Sequence, residues 1–500
     1  MSGNPRIVSV LGCVLILAGS AAAQPPASPP ASPPASPPAS PPAIAALEAA
    51  VVDVVAEASR SVVAISLVRK RVAGQSLNFE IRPGPLGMPI VPQRMPAPED
   101  PDFIPIEYAT GVVVDRLGLI LTAYHVLEAD SEYFVTTCEH KRYPAWIKAA
   151  DPRSDLALLA IDANNLVPIP LGDGAALRRG QFVIALGNPY AIARDGQASA
   201  SWGIVGNLNR KAAPLPDEED TVGKTTLHHF GTLIQTDAKL NLGTSGGALV
   251  DLEGKMVGLT TSLAAVAGYE TAAGYAYPVD GTFRRVVDTL KRGREVEYGF
   301  LGVQPVNLSP AEILAGKTGI RVRHVEPGSR AERFGVLPDD LVTAVDGKPI
   351  HDADGLVREV GKLPVEAKVR LRIVREGKEQ EIEVALSKFP VRGKKVVTSP
   401  RPAWRGMQVE YTTAAVDPEV RRAAGMRFFD DRVVVTEVEA DSPAWKAGVR
   451  PGSFITHVDR QPVRTPREFA SAVANRDGDV RLRVAVSGQK EQALIVVPKS

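Results

Sequence analysis

The chain has 500 residues, which is long for one core and predicts about three domains at roughly 150 residues each. Its apolar fraction of 44% and charged fraction of 23% are typical of a globular protein. The 58 basic and 57 acidic residues leave a formal charge of +1, so we expect no nucleic-acid partner and no main role on an anionic membrane.

The N-terminal residues predict export. Arg6 precedes the apolar run IVSVLGCVLILAG and the small-residue segment SAAAQ, which is the order of a secretory signal peptide. The run is short for a membrane span, and we expect cleavage between Ala23 and Gln24. The mature protein is then periplasmic or otherwise exported, and membrane association through the next segment stays open. Loss of Cys13 leaves Cys138 alone, which excludes an internal disulfide.

The segments that follow alternate between irregular and regular patterns. Repeated PPAS units up to residue 43 favour extended polyproline and predict a spacer or tether. From Ile44 the spacing is helical, and SVVAISLV then predicts a strand. Eight prolines within residues 83–105 predict a long irregular loop. From Tyr108 to about Tyr277, short apolar runs broken by Gly, Pro and Asp predict a β-sandwich or barrel.

The C-terminal part contains an internal repeat. VEPGSRAERFGVLPDDLVTAVDGKPI begins at Val325 and VEADSPAWKAGVRPGSFITHVDRQPV at Val438, an offset of 438 − 325 = 113 residues. Of the 26 aligned positions 11 are identical, which predicts two copies of one small domain rather than a solenoid.

The stretch LNLGTSGGALVD places Ser245 among three glycines. Such a segment is either a turn, because Gly and Ser are common turn residues, or a nucleophile loop. Glycines suit the second interpretation because they let backbone N–H groups approach a substrate, and a serine nucleophile needs such donors together with a base.

His125 and Asp155 are the predicted partners of Ser245. His125 follows the apolar run LGLILTAY at a strand end, where catalytic groups are commonly placed. Asp155 opens the strand DLALLAI and could hold the imidazole. Asp151 is the runner-up, although its place before Pro152 favours a turn. Cys138 and His140 lack a second ligand pair, so we expect no metal site there. The predicted chemistry needs no metal and no organic cofactor.

The order His125, Asp155, Ser245 is that of chymotrypsin-like proteases. The segments TGVVVDRLGLILTAYHVL, DPRSDLALLAI, LIQTDAKLNLGTSGGALVD and GYAYPVD, followed by the repeat, resemble the HtrA/Deg serine proteases along nearly all of the mature chain. The resemblance implies a mainly β protein, with a chymotrypsin-like double β-barrel followed by two α+β PDZ domains. It also implies an oxyanion hole from the backbone of Gly243, Thr244 and Ser245, and at least a homotrimer.

The expected domain organisation follows from the resemblance and the composition changes. The segments are a signal peptide at 1–23, a Pro-rich spacer at 24–43, a protease domain at 44–295, a first PDZ domain at 296–392, a linker at 393–402 and a second PDZ domain at 403–500.

The PDZ repeats are expected to bind peptide C-termini, which PDZ domains add as a strand while a backbone loop receives the carboxylate. In the first copy this loop is similar to Phe300, Leu301, Gly302 and Val303. In the second copy the corresponding residues are 404–407, with the charged Arg405 in place of Leu301. We therefore expect peptide binding chiefly at the first copy.

Two departures from the family concern the serine loop. Leu242 and Thr244 stand where relatives commonly have Pro and Asn, and digestive relatives have Asp before the serine. Thr244 cannot form an ion pair with a freed N-terminus, so we expect another activating event. The pocket segments 240–243 and 260–263 carry no carboxylate, which predicts cleavage after small aliphatic residues.

The predicted function is an exported, ATP-independent serine endopeptidase that degrades unfolded or damaged proteins. The alternative is a chaperone or scaffold that binds misfolded chains and scarcely cleaves them, which the departures at Leu242 and Thr244 keep open. An esterase or acyltransferase is a third interpretation, for which the sequence offers no small-substrate motif.

Overall fold

A helix followed by a strand opens the part of the chain that the structure describes. This computed structural model describes residues 42–69, 107–128, 130–188, 196–212, 224–241, 243–261, 273–415, 432–485 and 492–499. Helix α1 spans Pro42–Ser59 and buries Val54 and Ala58, which lie one turn apart. It begins two residues before the predicted Ile44, because proline is well suited to a first helical position. The predicted signal peptide, most of the spacer and the loop at 83–105 lie outside the described residues.

The first barrel consists of six antiparallel strands. They pair in the order β5-β4-β1-β2-β3-β6, and β5 also pairs with β6, which closes the sheet. Their bounds are β1 Val62–Arg69, β2 Glu107–Val113, β3 Leu119–Ala123, β4 Ser131–Thr136, β5 Arg142–Asp151 and β6 Leu156–Ile161. Every residue of β6 is buried, because neighbouring strands cover both of its edges and its side chains contact core on both faces.

The second barrel also has six strands, in the closed order β10-β11-β12-β9-β8-β7. Their bounds are β7 Phe182–Gly187, β8 Ser199–Arg210, β9 Leu233–Thr236, β10 Ala248–Val250, β11 Met256–Thr261 and β12 Gly274–Pro278. Helix α2, Gly281–Lys291, follows and buries Phe283, Val286, Val287 and Leu290 at helical spacing. The pair of barrels confirms the chymotrypsin-like fold class.

The first copy of the repeat folds as one main sheet and a separate strand pair, with three short helices. Its main strands pair in the order β14-β15-β16-β18-β19, β17 pairs with β16, and a separate pair joins β13 to β20. The strands are β13 Gly299–Phe300, β14 Val303–Asn307, β15 Ile320–Val325, β16 Leu341–Val345, β17 Lys348–Pro349, β18 Lys368–Arg375, β19 Lys378–Ala385 and β20 Ser387–Lys388. The helices are α3 Pro310–Leu314, α4 Arg330–Arg333 and α5 Ala353–Gly361.

The second copy repeats this strand order. A short strand, β21 Val396–Val397, lies between the copies, and the second sheet has the order β22-β23-β24-β26-β27 with β25 on β24. Its strands are β22 Met407–Tyr411, β23 Val433–Val438, β24 Phe454–Val458, β25 Gln461–Pro462, β26 Val480–Ala485 and β27 Gln492–Val497. Its helices are α6 Thr412–Ala415, α7 Pro443–Lys446 and α8 Pro466–Val473.

One aspartate that recurs in the two copies has the same structural role in each. Asp346 and Asp459 both adopt a left-handed backbone, with φ of 48° and 54°. Each carboxylate accepts the N–H of a residue on the neighbouring strand, from Arg370 at 2.9 Å and from Arg481 at 3.1 Å. Aspartate tolerates this conformation and supplies the acceptor, so the turn explains why the residue recurs.

None of the helices in the described ranges combines the length and apolar composition that a membrane span requires. Cys138 is partly buried and forms no disulfide within the described ranges, and burial raises the pKa of its thiol.

A substitution in the turn between β2 and β3 can test how closely the first barrel is packed. Strand β3 leads from this turn to the predicted histidine. Gly118 has φ +107°, and a Cβ there would lie 2.1 Å from the carbonyl oxygen of Ile161. We expect Gly118→Ala to reduce the free energy of unfolding by about 3 kcal/mol, because both conformation and space oppose it. Gly254→Ala is the control, since Gly254 has φ +74° but open space around it, and we expect a cost of about 1 kcal/mol. Denaturant unfolding measures both, and equal costs would contradict the steric argument.

Candidate active site

His125 lies directly after the end of a strand of the first barrel. It occupies a single 3₁₀ turn, Tyr124–Val126, directly after β3, and β3 is paired on both edges by β2 and β6. The side chain retains 22% exposure, so the ring is positioned by a rigid strand and still reaches solvent. The prediction of a strand-end histidine therefore agrees with its location.

Asp155 is buried beside this histidine. It lies in the turn between β5 and β6 with φ +53°, and its side chain is 3% exposed. Oδ1 accepts the backbone N–H of His125 at 2.9 Å, and Oδ2 lies 2.6 Å from His125 Nδ1. The hydroxyl of Tyr277 also donates to Oδ2. Burial alone raises the pKa of Asp155, but the charge and hydrogen bonds of these partners hold the pKa below its ordinary value.

Ser245 completes a line of contacts through the imidazole. Its Oγ lies 3.0 Å from His125 Nε2, on the opposite side of the ring from Asp155. Burial lowers the pKa of His125, while the negative charge of Asp155 and the hydrogen bond to it raise the pKa above its ordinary value overall. The structure thus brings the three predicted residues together in a geometry that allows the imidazole to accept the serine proton.

The serine loop is held against the first barrel. Thr110 in β2 donates its hydroxyl to the carbonyl of Gly243 at 2.7 Å and its N–H to the carbonyl of Ser245 at 3.0 Å. Gly246 has φ +86°, and a Cβ there would lie 2.2 Å from the carbonyl oxygen of Thr110. Glycine is required at this position because two backbones meet there. Thr110 was not predicted from the sequence, where only its place in the ATGVVVD segment marks it.

Thr244 forms hydrogen bonds within the serine loop. Its side chain is buried, and its hydroxyl and N–H donate to the carbonyl of Asn241 at 2.6 and 3.1 Å. The Thr244 carbonyl accepts the hydroxyl of Thr260 at 2.6 Å. The Thr244 N–H is therefore already bonded within the loop, while the oxyanion hole of Gly243, Thr244 and Ser245 stays a prediction. Leu242 lies outside the described residues.

Two further residues form the support behind Asp155. The ring of His228 stacks on Tyr277 with centroids 3.7 Å apart, and both side chains are buried. His228 Nε2 donates to the carbonyl of Ser154 at 2.8 Å, and its Nδ1 contacts the hydroxyl of Thr232 at 2.7 Å. Burial lowers the pKa of His228 to about 4, so its ring is neutral at pH 7. The sequence placed Tyr277 in the closing GYAYPVD motif without a role, and His228 was only one of several histidines.

Asp151, the alternative candidate to Asp155, accepts the hydrogen bonds of the turn that precedes Asp155. It ends β5, is 1% exposed, and accepts the N–H and hydroxyl of Ser154 at 2.9 and 2.6 Å. The hydroxyl of Tyr298 also donates to it, and burial raises its pKa. Asp151 therefore fixes the turn that carries Asp155, as the local DPRS pattern favours.

The predicted peptide-binding loop of the first repeat has a suitable backbone. Leu301 is 5% exposed within the core, and Gly302 has φ +84°. A Cβ at Gly302 would lie 2.5 Å from the Cβ of Ser329, so the loop approaches helix α4 too closely for a side chain. Val303 starts β14, an edge strand of its sheet, while Phe300 contacts Phe389 edge-to-face at 6.0 Å. An edge strand beside α5 is what strand addition by a peptide needs.

The second repeat uses the same loop differently. Gly406 again has φ +81°, but the guanidinium of Arg405 is bonded within the domain. It donates to the carbonyls of Val497 at 2.5 Å and Gly478 at 2.6 Å. The charged residue that distinguishes this copy is therefore a structural clamp on its C-terminal strand.

Two closed barrels with an Asp–His–Ser line where they meet define a trypsin-like serine peptidase. Comparison with known families agrees, since residues 109–259 match the trypsin-like peptidase domain, and residues 299–386 and 434–486 each match a PDZ domain. The chain belongs to the HtrA/Deg family of serine endoproteases, as the resemblance predicted, and it is an endopeptidase of that class.

Its relatives support this assignment. The chain is 31% identical over 402 residues to a probable periplasmic serine endoprotease DegP-like of Chlamydia muridarum, covering 79% of this chain and 75% of the relative. It is 29% identical over 382 residues to the periplasmic serine endoprotease DegP of Salmonella typhimurium, covering 75% and 73%. The solved structure of the HtrA-type protease AlgW with decapeptide is similar in fold, with TM-score 0.50, 24% identity and coverage of 68% and 98%.

The neutral state of His228 predicts an acid sensitivity. Its folded pKa of about 4 is below the unfolded value of about 6.5, so between these values only the unfolded chain takes up the proton. We expect the parent to lose about 3 kcal/mol of unfolding free energy from pH 6.5 to 4 that His228→Gln does not lose. Urea unfolding across this range measures the difference, with His351→Gln as the exposed control. Parallel pH curves for parent and His228→Gln would contradict the assignment.

Proposed function

We propose that this protein is an exported, ATP-independent endopeptidase that degrades unfolded or damaged proteins. The observation that carries the proposal is the position of His125, with Nδ1 2.6 Å from Asp155 and Nε2 3.0 Å from Ser245. The relatives named above as periplasmic serine endoproteases support the same class and an envelope location. The proposed signal peptide at 1–23 would deliver the chain there.

The proposed reaction is acyl transfer through Ser245. His125 takes the hydroxyl proton as Oγ attacks the substrate carbonyl, and later returns a proton to the leaving amine. The buried charge of Asp155 stabilises the imidazolium that forms between these steps. Backbone N–H groups of Gly243 and Ser245 are proposed to bind the oxyanion. Only the neutral imidazole accepts a proton, so the raised pKa of His125 places the active form toward neutral and alkaline pH.

The proposed primary pocket is small and apolar. Leu240 lies against Gly274, where a Cβ would approach the Leu240 Cδ1 to 2.7 Å. Thr260 and Thr261 are fully buried on the adjacent strand β11. No carboxylate stands among these residues to attract a basic side chain, which supports cleavage after small aliphatic residues.

The first PDZ domain is proposed to bind peptide C-termini and regulate the protease. Arg358 of α5 donates Nη1 to the carbonyls of Phe230 and Gly231 at 3.3 and 3.4 Å. Lys211 and Lys224 of the protease pair with Asp354 at 2.7 and 2.6 Å. The turn Leu227–Phe230 that α5 contacts also carries His228, which supports Tyr277 behind the catalytic carboxylate. A peptide bound beside α5 would therefore act, through the Leu227–Phe230 turn, on His228 and on Tyr277 behind Asp155.

The oligomeric state and the domain limits of the protein are also proposed. Family membership supports a homotrimer or a larger homo-oligomer, with unfolded proteins as substrates. The proposed limits are those given from the sequence, with the protease at 44–295 and PDZ domains at 296–392 and 403–500. The alternative of a chaperone or scaffold is favoured by no geometry in the described residues, since the three triad side chains are in contact there.

Covalent labelling distinguishes these functions. We expect a fluorophosphonate to label the mature chain at Ser245, and an unfolded protein to be digested by the parent but not by Ser245→Ala. The loss is expected to exceed about 1,000-fold, because the nucleophile is removed while substrate binding is kept. Circular dichroism and thermal unfolding of Ser245→Ala control for folding. A parent that is neither labelled nor active, even with hydrophobic C-terminal peptides added, would favour the chaperone.

The cut sites test the pocket. We expect digestion of an unfolded protein to give fragments that end mainly in Val, Ala or Ile, because a small apolar pocket holds these side chains and excludes larger ones. Mass spectrometry of the fragments from the parent, with Ser245→Ala as the blank, identifies the ends. A preference for Lys or Arg at the cut would refute the proposed pocket.

A further inference from the structure

The connection between the two PDZ domains lies against the protease. We call residues 389–399 the linker segment, which comprises the last four residues of the proposed first PDZ domain and the first seven of the predicted linker at 393–402. Its strand β21 pairs antiparallel with β5, with Val396 opposite Ala150 and Val397 opposite Ala149. The hydroxyl of Thr398 adds a bond to the carbonyl of Lys148 at 2.8 Å. The linker segment thus extends the first barrel by a seventh strand.

The pairing of β21 with β5 lies next to the turn that carries Asp155. Strand β4 pairs with β5 only from Arg142 to Ala145, and the next residues of β5 leave that edge uncovered by β4. β21 covers this edge at the two residues before Asp151, where the turn toward Asp155 begins. The other edge of this end of β5 is paired with β6 up to Asp151. Because β21 supplies the pairing on the edge that β4 leaves uncovered, this end of β5 is held by strands on both edges.

The linker segment also contacts the histidine side of the site. The hydroxyl of Tyr124, which precedes His125, donates to the carbonyl of Lys394 at 3.1 Å. The N–H of Tyr124 donates to the carbonyl of Asp155 at 2.9 Å, so this residue joins the two catalytic segments. A Cβ at Gly393 would lie 3.0 Å from the Cβ of Pro152, which places the linker backbone directly on the Asp155 turn.

The N-terminal end of the linker segment contacts the same turn. The guanidinium carbon of Arg153 lies 3.6 Å from the ring centroid of Phe389, and Arg153 is 1% exposed. A buried cation over an aromatic face is a favourable contact. The N–H of Phe389 donates to the carbonyl of Tyr298 at 2.7 Å, and the Tyr298 hydroxyl donates to Asp151.

Bonds outside the barrel hold the linker segment in place. Lys395 pairs with Glu295 at 2.5 Å, and the N–H groups of Thr398 and Ser399 donate to the carbonyl of Gly293 at 3.0 and 2.8 Å. Directly before its first residue, the buried Lys388 lies among three carboxylates, Glu295, Glu297 and Glu410, at 2.9, 3.3 and 2.6 Å. The segment is therefore fixed at both ends and can act as a support for what lies on it.

We propose that the linker segment is a positioning element of the protease, which holds the His125 and Asp155 segments in register. The inference rests on the proposed roles of these two residues. Residues between the PDZ domains then belong to the protease in their function, and activity depends on their seating on β5.

The test uses the full mature chain with two substitutions in β21. In Val396→Pro/Val397→Pro the backbone cannot donate to β5, whereas Val396→Thr/Val397→Thr keeps the N–H groups and the preference for strand. We expect the proline pair to lower kcat about tenfold with KM within about twofold, since a misplacement of roughly 1 Å costs up to about a hundredfold. The threonine pair should retain the parent kcat.

Hydrogen exchange gives a readout that does not need activity. We expect the proline pair to speed exchange at residues 148–157 while residues 248–259 of the second barrel remain as in the parent. Tyr124→Phe removes one hydrogen bond to the linker segment and should lower kcat about threefold. Tyr411→Phe is the control: the Tyr411 hydroxyl bonds Glu366 in the PDZ region, so its loss should leave kcat unchanged.

The outcomes separate the two proposals. Parent-like exchange or parent-like kcat in the proline pair overturns the positioning role, as does an equal loss in the threonine pair. A parent that is neither labelled at Ser245 nor able to digest contradicts the proposed function instead. The exchange comparison then decides by itself whether the linker segment holds residues 148–157.

Discussion

The buried carboxylate of Asp155 joins the two barrels. It accepts the backbone and the ring of His125 from the first barrel and the hydroxyl of Tyr277 from the second. A buried charge is costly unless it is fully hydrogen-bonded, so these donors must stay within bonding distance for the fold to be stable. The requirement that stabilises the interface between the barrels therefore also sets the orientation of the imidazole toward Ser245.

The same interface explains the glycines of the serine loop. Thr110 of the first barrel bonds the loop carbonyls of Gly243 and Ser245, and Gly246 fits only because it lacks a side chain. The loop is thus shaped by contact with the opposite barrel as well as by its own turn. Thr244, bonded to Asn241 within the loop, takes a place that an ion pair occupies in digestive relatives.

The two PDZ domains show how one fold serves different surroundings. Both keep the left-handed aspartate, the Ser-capped helix and the same strand order. The first packs α5 on the protease, while the second closes its own loop with Arg405. Their junction holds Lys388 among three carboxylates, and the removal of one partner from such a buried group costs more than the group contributes when complete.

By itself the sequence determined the class of the protein and most of its elements. Local patterns carry that information, because periodicity marks strands, glycines mark turns, and the order of His125, Asp155 and Ser245 marks one protease class. The repeat at a fixed offset likewise predicted two copies of one domain. The roles of the three triad residues stay a prediction from the sequence, to which the structure adds their proximity.

Only the tertiary structure decided which residues support that site. Tyr277, His228 and Thr110 reach it from separate strands and loops, and the linker segment reaches β5 from more than 200 residues away along the chain. Such contacts leave no periodic trace in one sequence, because a tyrosine or threonine in a strand has the same local pattern whether or not its hydroxyl has a distant partner. Hydrogen-bond partners across barrels are set by how the closed sheets pack, and that packing is a property of the whole fold.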